Sequence, residues 1–123
     1  MAPQRILIVD DDPEVTDMMA VLLELHGYEV RKVYGTMQGM TMVMADPPDL
    51  VLLDMMMPHL SGLELCRYIR RDPALAKLPV IFFSARANDD QVREAMLAGA
   101  TAFVKKNVSK DELLSAVRAA LPS

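Results

Sequence analysis

The chain has 123 residues, 52% of them hydrophobic and 24% charged, with a net charge of −4. That balance excludes a disordered tail, and the single cysteine, Cys66, excludes a disulfide framework or a cysteine zinc cluster. No apolar run approaches the ~20 residues of a membrane span, and the acidic excess argues against nucleic acid as a direct partner.

Arg5 to Val9 is a short apolar run, expected as a strand buried on both faces. Asp12-Pro13 then predicts an N-cap with proline at the first helical position. Met18, Val21, Leu22 and Leu25 follow at helical spacing, and Gly27 supplies a stop. Tyr28 to Tyr34 mixes apolar and charged residues, as an edge strand does. Thr36 to Ala45 predicts a methionine-rich helix that Asp46-Pro47-Pro48 breaks. Leu50 to Leu53 is a second fully apolar strand. Ser61-x-x-Glu64 predicts a capping box opening a helix through Arg71. Leu78 to Phe83 is the fourth strand, and Asn88-x-x-Gln91 caps a helix running to Gly99. Thr101 to Val104 is the fifth strand. Ser109-x-x-Glu112 is another capping box, with its helix ending near Leu121.

Strands that alternate with helices imply a parallel sheet covered on both faces. Right-handed crossovers leave few topologies, and the expectation is an α/β, doubly wound, five-stranded sheet of flavodoxin-like order 2-1-3-4-5. Residues 1–123 read as one domain, with no linker, repeat or low-complexity stretch. No signal peptide is visible, since Gln4 and Arg5 lead straight into the first strand, so the cytoplasm is the expected compartment. Met1 suggests a natural start, while Pro122-Ser123 is either a natural end or a cut.

In such sheets ligands bind beyond the carboxyl ends of the strands. Asp10, Asp11 and Asp12 follow strand 1, Asp54 follows strand 3, Ser84 follows strand 4, and Lys105 and Lys106 follow strand 5. Asp12 is most simply the helix cap. Two further acids beside it exceed what a cap needs. Crowded carboxylates repel unless a cation binds, and a hard divalent ion such as Mg²⁺ suits oxygen ligands. An aspartate there can attack phosphorus, with lysine and serine meeting the phosphoryl oxygens. The chemistry indicated is Mg²⁺-dependent phosphoryl transfer onto a carboxylate.

The stretches Ile6 to Pro13, Pro48 to Pro58, Ser61-Gly62, Pro79 to Ala85 and Gly99-Ala100 resemble the response-regulator receiver domain of two-component signalling, of the single-domain, chemotaxis-regulator kind. The resemblance implies that Asp54 is the phosphoacceptor. It implies Asp11 as a direct ligand of Mg²⁺ (or Mn²⁺), Asp10 acting mainly through water, and the Met56 backbone carbonyl as a further ligand. Ser84 matches the hydroxyl that follows the phosphoryl group, Phe103 the aromatic switch residue, and Lys106, three residues after Phe103, the lysine. Met56 and Arg86 match positions that tune phosphoryl lifetime. Where the family usually carries a proline after a cis bond, this chain has Asn107, so the Lys106–Asn107 bond is either relaxed to trans or strained cis.

The implied partners are a sensor histidine kinase or histidine phosphotransfer protein and a downstream protein, reached through the surface of helix 4, strand 5 and helix 5. The domain is then a monomer or a phosphorylation-dependent dimer. Its only catalysis is on its own Asp54, and it has no direct nucleic-acid or membrane contact. An aspartyl-phosphatase of the haloacid-dehalogenase kind wants a second acid where Met56 stands. A flavin carrier wants a glycine-rich phosphate loop in place of the three aspartates. A pseudo-receiver that only binds proteins would not need the full Asp10, Asp11, Asp54, Ser84 and Lys106 set. Of the 11 methionines, the run Met37 to Met44 is expected as core filler. Two or more of Met37, Met40, Met42 and Met44 exposed on one face would instead mark a binding surface. His26 and His59 lack metal-ligand spacing.

Overall fold

The computed structural model describes residues 2–57, 61–85 and 88–122. In chain order the elements are β1 (Arg5–Val9), α1 (Pro13–Leu25), β2 (Glu29–Val33), α2 (Thr36–Ala45) and β3 (Leu50–Asp54). There follow α3 (Gly62–Arg71), β4 (Val80–Ser84), α4 (Asp89–Leu97), β5 (Ala102–Lys105) and α5 (Lys110–Ala120). The strands form one parallel sheet in the order β2-β1-β3-β4-β5, as expected.

The apolar strand runs follow from burial on both faces. Along β1, Leu7 and Val9 face one core and Ile6 and Ile8 the other. The first core is closed by Val43 of α2, Leu65, Cys66 and Ile69 of α3, and Ala95 of α4. The second is closed by Met19, Ala20 and Leu23 of α1 and by Leu113, Leu114 and Val117 of α5. β2 is one edge of the sheet and β5 the other, and on β2 Glu29, Arg31 and Lys32 are exposed.

Capping explains most helix starts. Asp12 accepts a hydrogen bond from the Glu14 N–H, Asn88 from Gln91 and Ser109 from Glu112. α1 closes at Gly27, whose φ of 92° suits glycine. The capping box expected at Ser61 does not form. The Glu64 N–H donates to the Ser61 main-chain carbonyl at 3.1 Å, and the Glu64 carboxylate accepts from Arg67 at 2.6 Å. α4 also stops at Leu97, two residues short of the expected end at Gly99.

Docking on the sheet decides which side of each helix is buried. On α1, of the spaced set Met18, Val21, Leu22 and Leu25, Leu22 packs partly against the core and the other three face outward, while Thr16, Met19, Ala20 and Leu23 are buried. That helix is apolar on two sides, and only one can meet the sheet. α2 has no charged residue, and its buried side is Thr36, Gly39 and Val43. Met37 and Met44, 65% and 63% exposed, stand seven residues apart and so share one face. Met40 and Met42 pack partly against the core. By the stated criterion the Met37–Met44 face is surface, not filler. Among the described residues no helix is long and apolar enough to cross a membrane.

Candidate functional site

The parallel sheet brings the carboxyl ends of its strands to one edge. β1 pairs with β3 through Val9 and Leu53, so Asp10 and Asp54 become neighbours. β3 continues to pair with β4 through Asp54 and Phe83, and β4 with β5 through Ser84 and Lys105. Asp54, Ser84 and Lys105 are therefore the last residues of their strands, where the sequence expectation put them just beyond. Main-chain pairing continues past the point where side chains turn polar. That shift also selects between the two lysines: Lys105 is exposed, whereas Lys106 turns into the site.

Ligand oxygens of Asp10, Asp11 and Asp54 lie within 4.8 Å of one another. Asp10 and Asp54 are buried, at 1% and 5% exposure, while Asp11 is exposed. Asp10 Oδ1 accepts from the Asp12 N–H at 2.9 Å, which aims the second oxygen inward. Asp54 Oδ1 accepts from the Met56 N–H at 3.2 Å. Lys106 Nζ lies 2.8 Å from Asp10 Oδ2 and 3.5 Å from Asp54 Oδ2, and 6.0 Å from the Phe83 ring centroid. The Lys106 N–H donates to the Ser84 carbonyl at 2.8 Å. Among the described residues there is no cis peptide bond, so Lys106–Asn107 is trans. The cleft above these groups is lined by Asp11, Asp12, Asp54, Met56, Ser84, Ala85 and Lys106.

Charge in this space is costly. Burial, then the Asp10 charge, pushes the Asp54 carboxyl from 3.8 up to about 6, against the pull of Lys106 and the Met56 N–H. Burial by itself lowers Lys106. Its hydrogen bond to Asp10 and the charges of Asp54 and Asp10 outweigh that, and its pKa is raised. With three carboxylates facing one ammonium, the cleft keeps an excess of negative charge.

The donor set fits a hard cation. It offers only oxygens, from three carboxylates at chelating separation. Asp10 Oδ2 is buried, and its close neighbour among the described residues is Lys106 Nζ at 2.8 Å. A divalent ion of the Mg²⁺ kind would complete that oxygen's coordination. Ser84 is buried at the cleft floor. Phe103 is half-buried and packs against the core under α2 to α4. Met56 is 61% exposed on the cleft wall. Arg86 and His59 lie outside the described residues.

Gly62 is a functional position for which the sequence offered a motif match and no role. A Cβ at Gly62 would run into the Asp54 main-chain carbonyl. Its own N–H donates to the Met55 carbonyl at 3.3 Å. Only a residue without a side chain lets α3 start directly behind the end of β3. The available signal was Ser61-Gly62 following a strand that ends in an acid.

A family model for the response regulator receiver domain matches residues 6–118. The chain belongs to that family. This receiver domain is 36% identical over 121 residues to the phosphate regulon transcriptional regulatory protein PhoB of Pseudomonas aeruginosa, an alignment covering 98% of this chain and 53% of the relative. It is likewise 36% identical over 118 residues to the DNA-binding response regulator MtrA of Mycolicibacterium smegmatis, covering 96% and 50%. The receiver domain thus spans about half the length of the curated relatives it matches. Among solved structures, a putative response regulator from Chloroflexus aurantiacus superposes with a TM-score of 0.92 at 29% identity, over 96% of this chain and 97% of that one. The chemotaxis protein CheY4 of Vibrio cholerae shares the fold, with a TM-score of 0.92 at 22% identity over 98% and 100% of the two chains.

Proposed function

We propose that this receiver domain takes a phosphoryl group from a phosphohistidine, on a sensor histidine kinase or histidine phosphotransfer protein, onto Asp54. The observation that carries the reading is the convergence of Asp10, Asp11 and Asp54 within 4.8 Å, with Lys106 Nζ bridging the two buried acids. An Asp54 carboxylate oxygen attacks phosphorus as the phosphorus–nitrogen bond to histidine breaks. Asp11, Asp54 and the Met56 carbonyl, with Asp10 mainly through water, would hold Mg²⁺ or Mn²⁺, which would supply charge neutralisation at the phosphoryl oxygens. Lys106 pairs with one phosphoryl oxygen, and the Ser84 hydroxyl donates to another.

The modification adds roughly −1.5 to −2 of charge, if an acyl phosphate behaves like other phosphoryl groups. Ser84 moves toward it, and Phe103 turns into the space released. The surface of α4, β5 and α5 changes with them, as a two-state switch biased by phosphorylation. Catalysis is confined to the domain's own Asp54, and Met56 and Arg86 are the residues that tune the lifetime of the phosphoryl group. The output is a protein contact by a monomer or a phosphorylation-dependent dimer. The exposed apolar stripe Met18, Val21 and Leu25 beside Lys110 supports docking by a protein partner.

The test is incubation with Mg²⁺ and acetyl phosphate or phosphoramidate, followed by intact mass. One phosphoryl group per chain on Asp54, lost in Asp54→Asn, is the expected result. Label that persists in Asp54→Asn refutes the assignment, and continuous turnover of the donor points to a phosphatase instead.

A further inference from the structure

We propose that Met56 is a redox-sensitive position in the wall of the phosphorylation cleft, oxidised by hydroperoxides to the sulfoxide, and that this oxidation shortens the life of the phosphoryl group on Asp54. It rests on the proposed role of Asp54. Three methionines follow Asp54 in the chain, and the fold treats them differently. Met55 and Met57 are buried at 2% and 9% exposure, while Met56 between them is 61% exposed. Among the described residues lining the cleft, Met56 is also the one methionine. Its main-chain N–H holds Asp54 Oδ1 at 3.2 Å, which fixes its backbone beside the acceptor carboxylate, and the residue lines the cleft wall. Cys66 is fully buried, and the other exposed methionines, Met18, Met37, Met44 and Met96, do not line the cleft.

The chemistry is a two-electron oxygen transfer. The thioether sulfur attacks the peroxide, the O–O bond breaks, a sulfur–oxygen bond forms, and water leaves from hydrogen peroxide. The sulfur is oxidised and the peroxide reduced. A thioether is apolar and a weak acceptor, so it offers water no anchor next to phosphorus. A sulfoxide oxygen is a strong acceptor. It can bind a bulk water and hold it beside the acyl phosphate, where hydrolysis needs it.

The experiment uses the full chain, treated with limiting hydrogen peroxide and then phosphorylated with phosphoramidate and Mg²⁺. Peptide mass spectrometry gives the oxidation at each methionine, and acyl-phosphate decay is followed before and after treatment. Met56 is expected to oxidise well ahead of Met55 and Met57. The lifetime should fall by about threefold, the scale of one added hydrogen bond to the attacking water, and methionine sulfoxide reductase should restore it. Each protein is compared with its own untreated sample. Met56→Leu should show no peroxide effect, whereas the double variant Met37→Leu, Met44→Leu should keep it. An unchanged or longer lifetime after Met56 oxidation, or equal sensitivity in Met56→Leu, overturns the proposal. Absence of any acyl phosphate in untreated protein overturns the receiver function itself, and so is a distinct outcome.

Discussion

Replacing Asp54 by Asn removes one negative charge from a buried space that already holds Asp10. In the native fold the Asp54 carboxyl is pushed from 3.8 to about 6, first by burial and then by Asp10. A raised pKa means that the folded state holds this proton more tightly than the unfolded chain does. The associated stability is complete below about pH 4 and is lost as the pH rises to about 6. Above that, the ionised carboxylate costs the metal-free protein up to ~3 kcal/mol. Asn escapes that cost, which is already net of the attraction to Lys106 at 3.5 Å, so with solvent screening a gain of about 1–3 kcal/mol is expected at pH 7.5. For a domain of this size that is a rise of roughly 5–10 °C in Tm. The chain has no tryptophan, so urea unfolding is followed by far-UV circular dichroism, with a chelator present, from pH 4.5 to 8. The difference between variant and parent should grow between about pH 4 and pH 6 and then level off. A variant no more stable than the parent at pH 7.5, or a difference that does not vary with pH, refutes the account of the site's electrostatics.

With Asp54 in the proposed ligand set, Mg²⁺ would compete with its proton and should raise the melting temperature more at pH 7.5 than at pH 5.5; equal rises would remove Asp54 from the ligand set. Lys106→Ala leaves Asp10 and Asp54 facing each other, and should cost ~2 kcal/mol at pH 8 but less at pH 5, where Asp54 takes up its proton. Denaturant melts at the two pH values check this, and a cost independent of pH contradicts it. Gly62→Ala drives a methyl group into the Asp54 carbonyl; a loss of about 2 kcal/mol or more is expected, with slower labelling by acetyl phosphate. Unchanged stability in that variant would mean that α3 can retreat from β3 freely.

The strands were legible because burial on both faces leaves a continuous apolar run, as in Leu50 to Leu53 and Val80 to Phe83. The caps at Asp12, Asn88 and Ser109 were legible because each is a local hydrogen bond. Strand ends were not, because Asp54 and Ser84 pair through the main chain whatever their side chains are. The buried face of α1 was not legible because Met18, Val21 and Leu25 keep the same period as Met19 and Leu23, and only docking on the sheet decides between them. The α2 methionines failed for the same reason, in a helix without a charge to mark its outer side. Gly62 depends on a through-space approach that no local pattern records.

The hydrogen bond from the Lys106 N–H to the Ser84 carbonyl has a mechanical meaning. It couples the backbones of the two residues that would meet a phosphoryl group, one at the end of β4 and one just beyond β5. A pull on the lysine is transmitted to the end of β4, and a shift of the serine is felt at the start of the segment leading into α5. The ammonium and the hydroxyl thus respond as one lever with two arms. A charge placed on Asp54 would act on the β4 and β5 ends together, so their displacement should be concerted, without a state in which only one has moved.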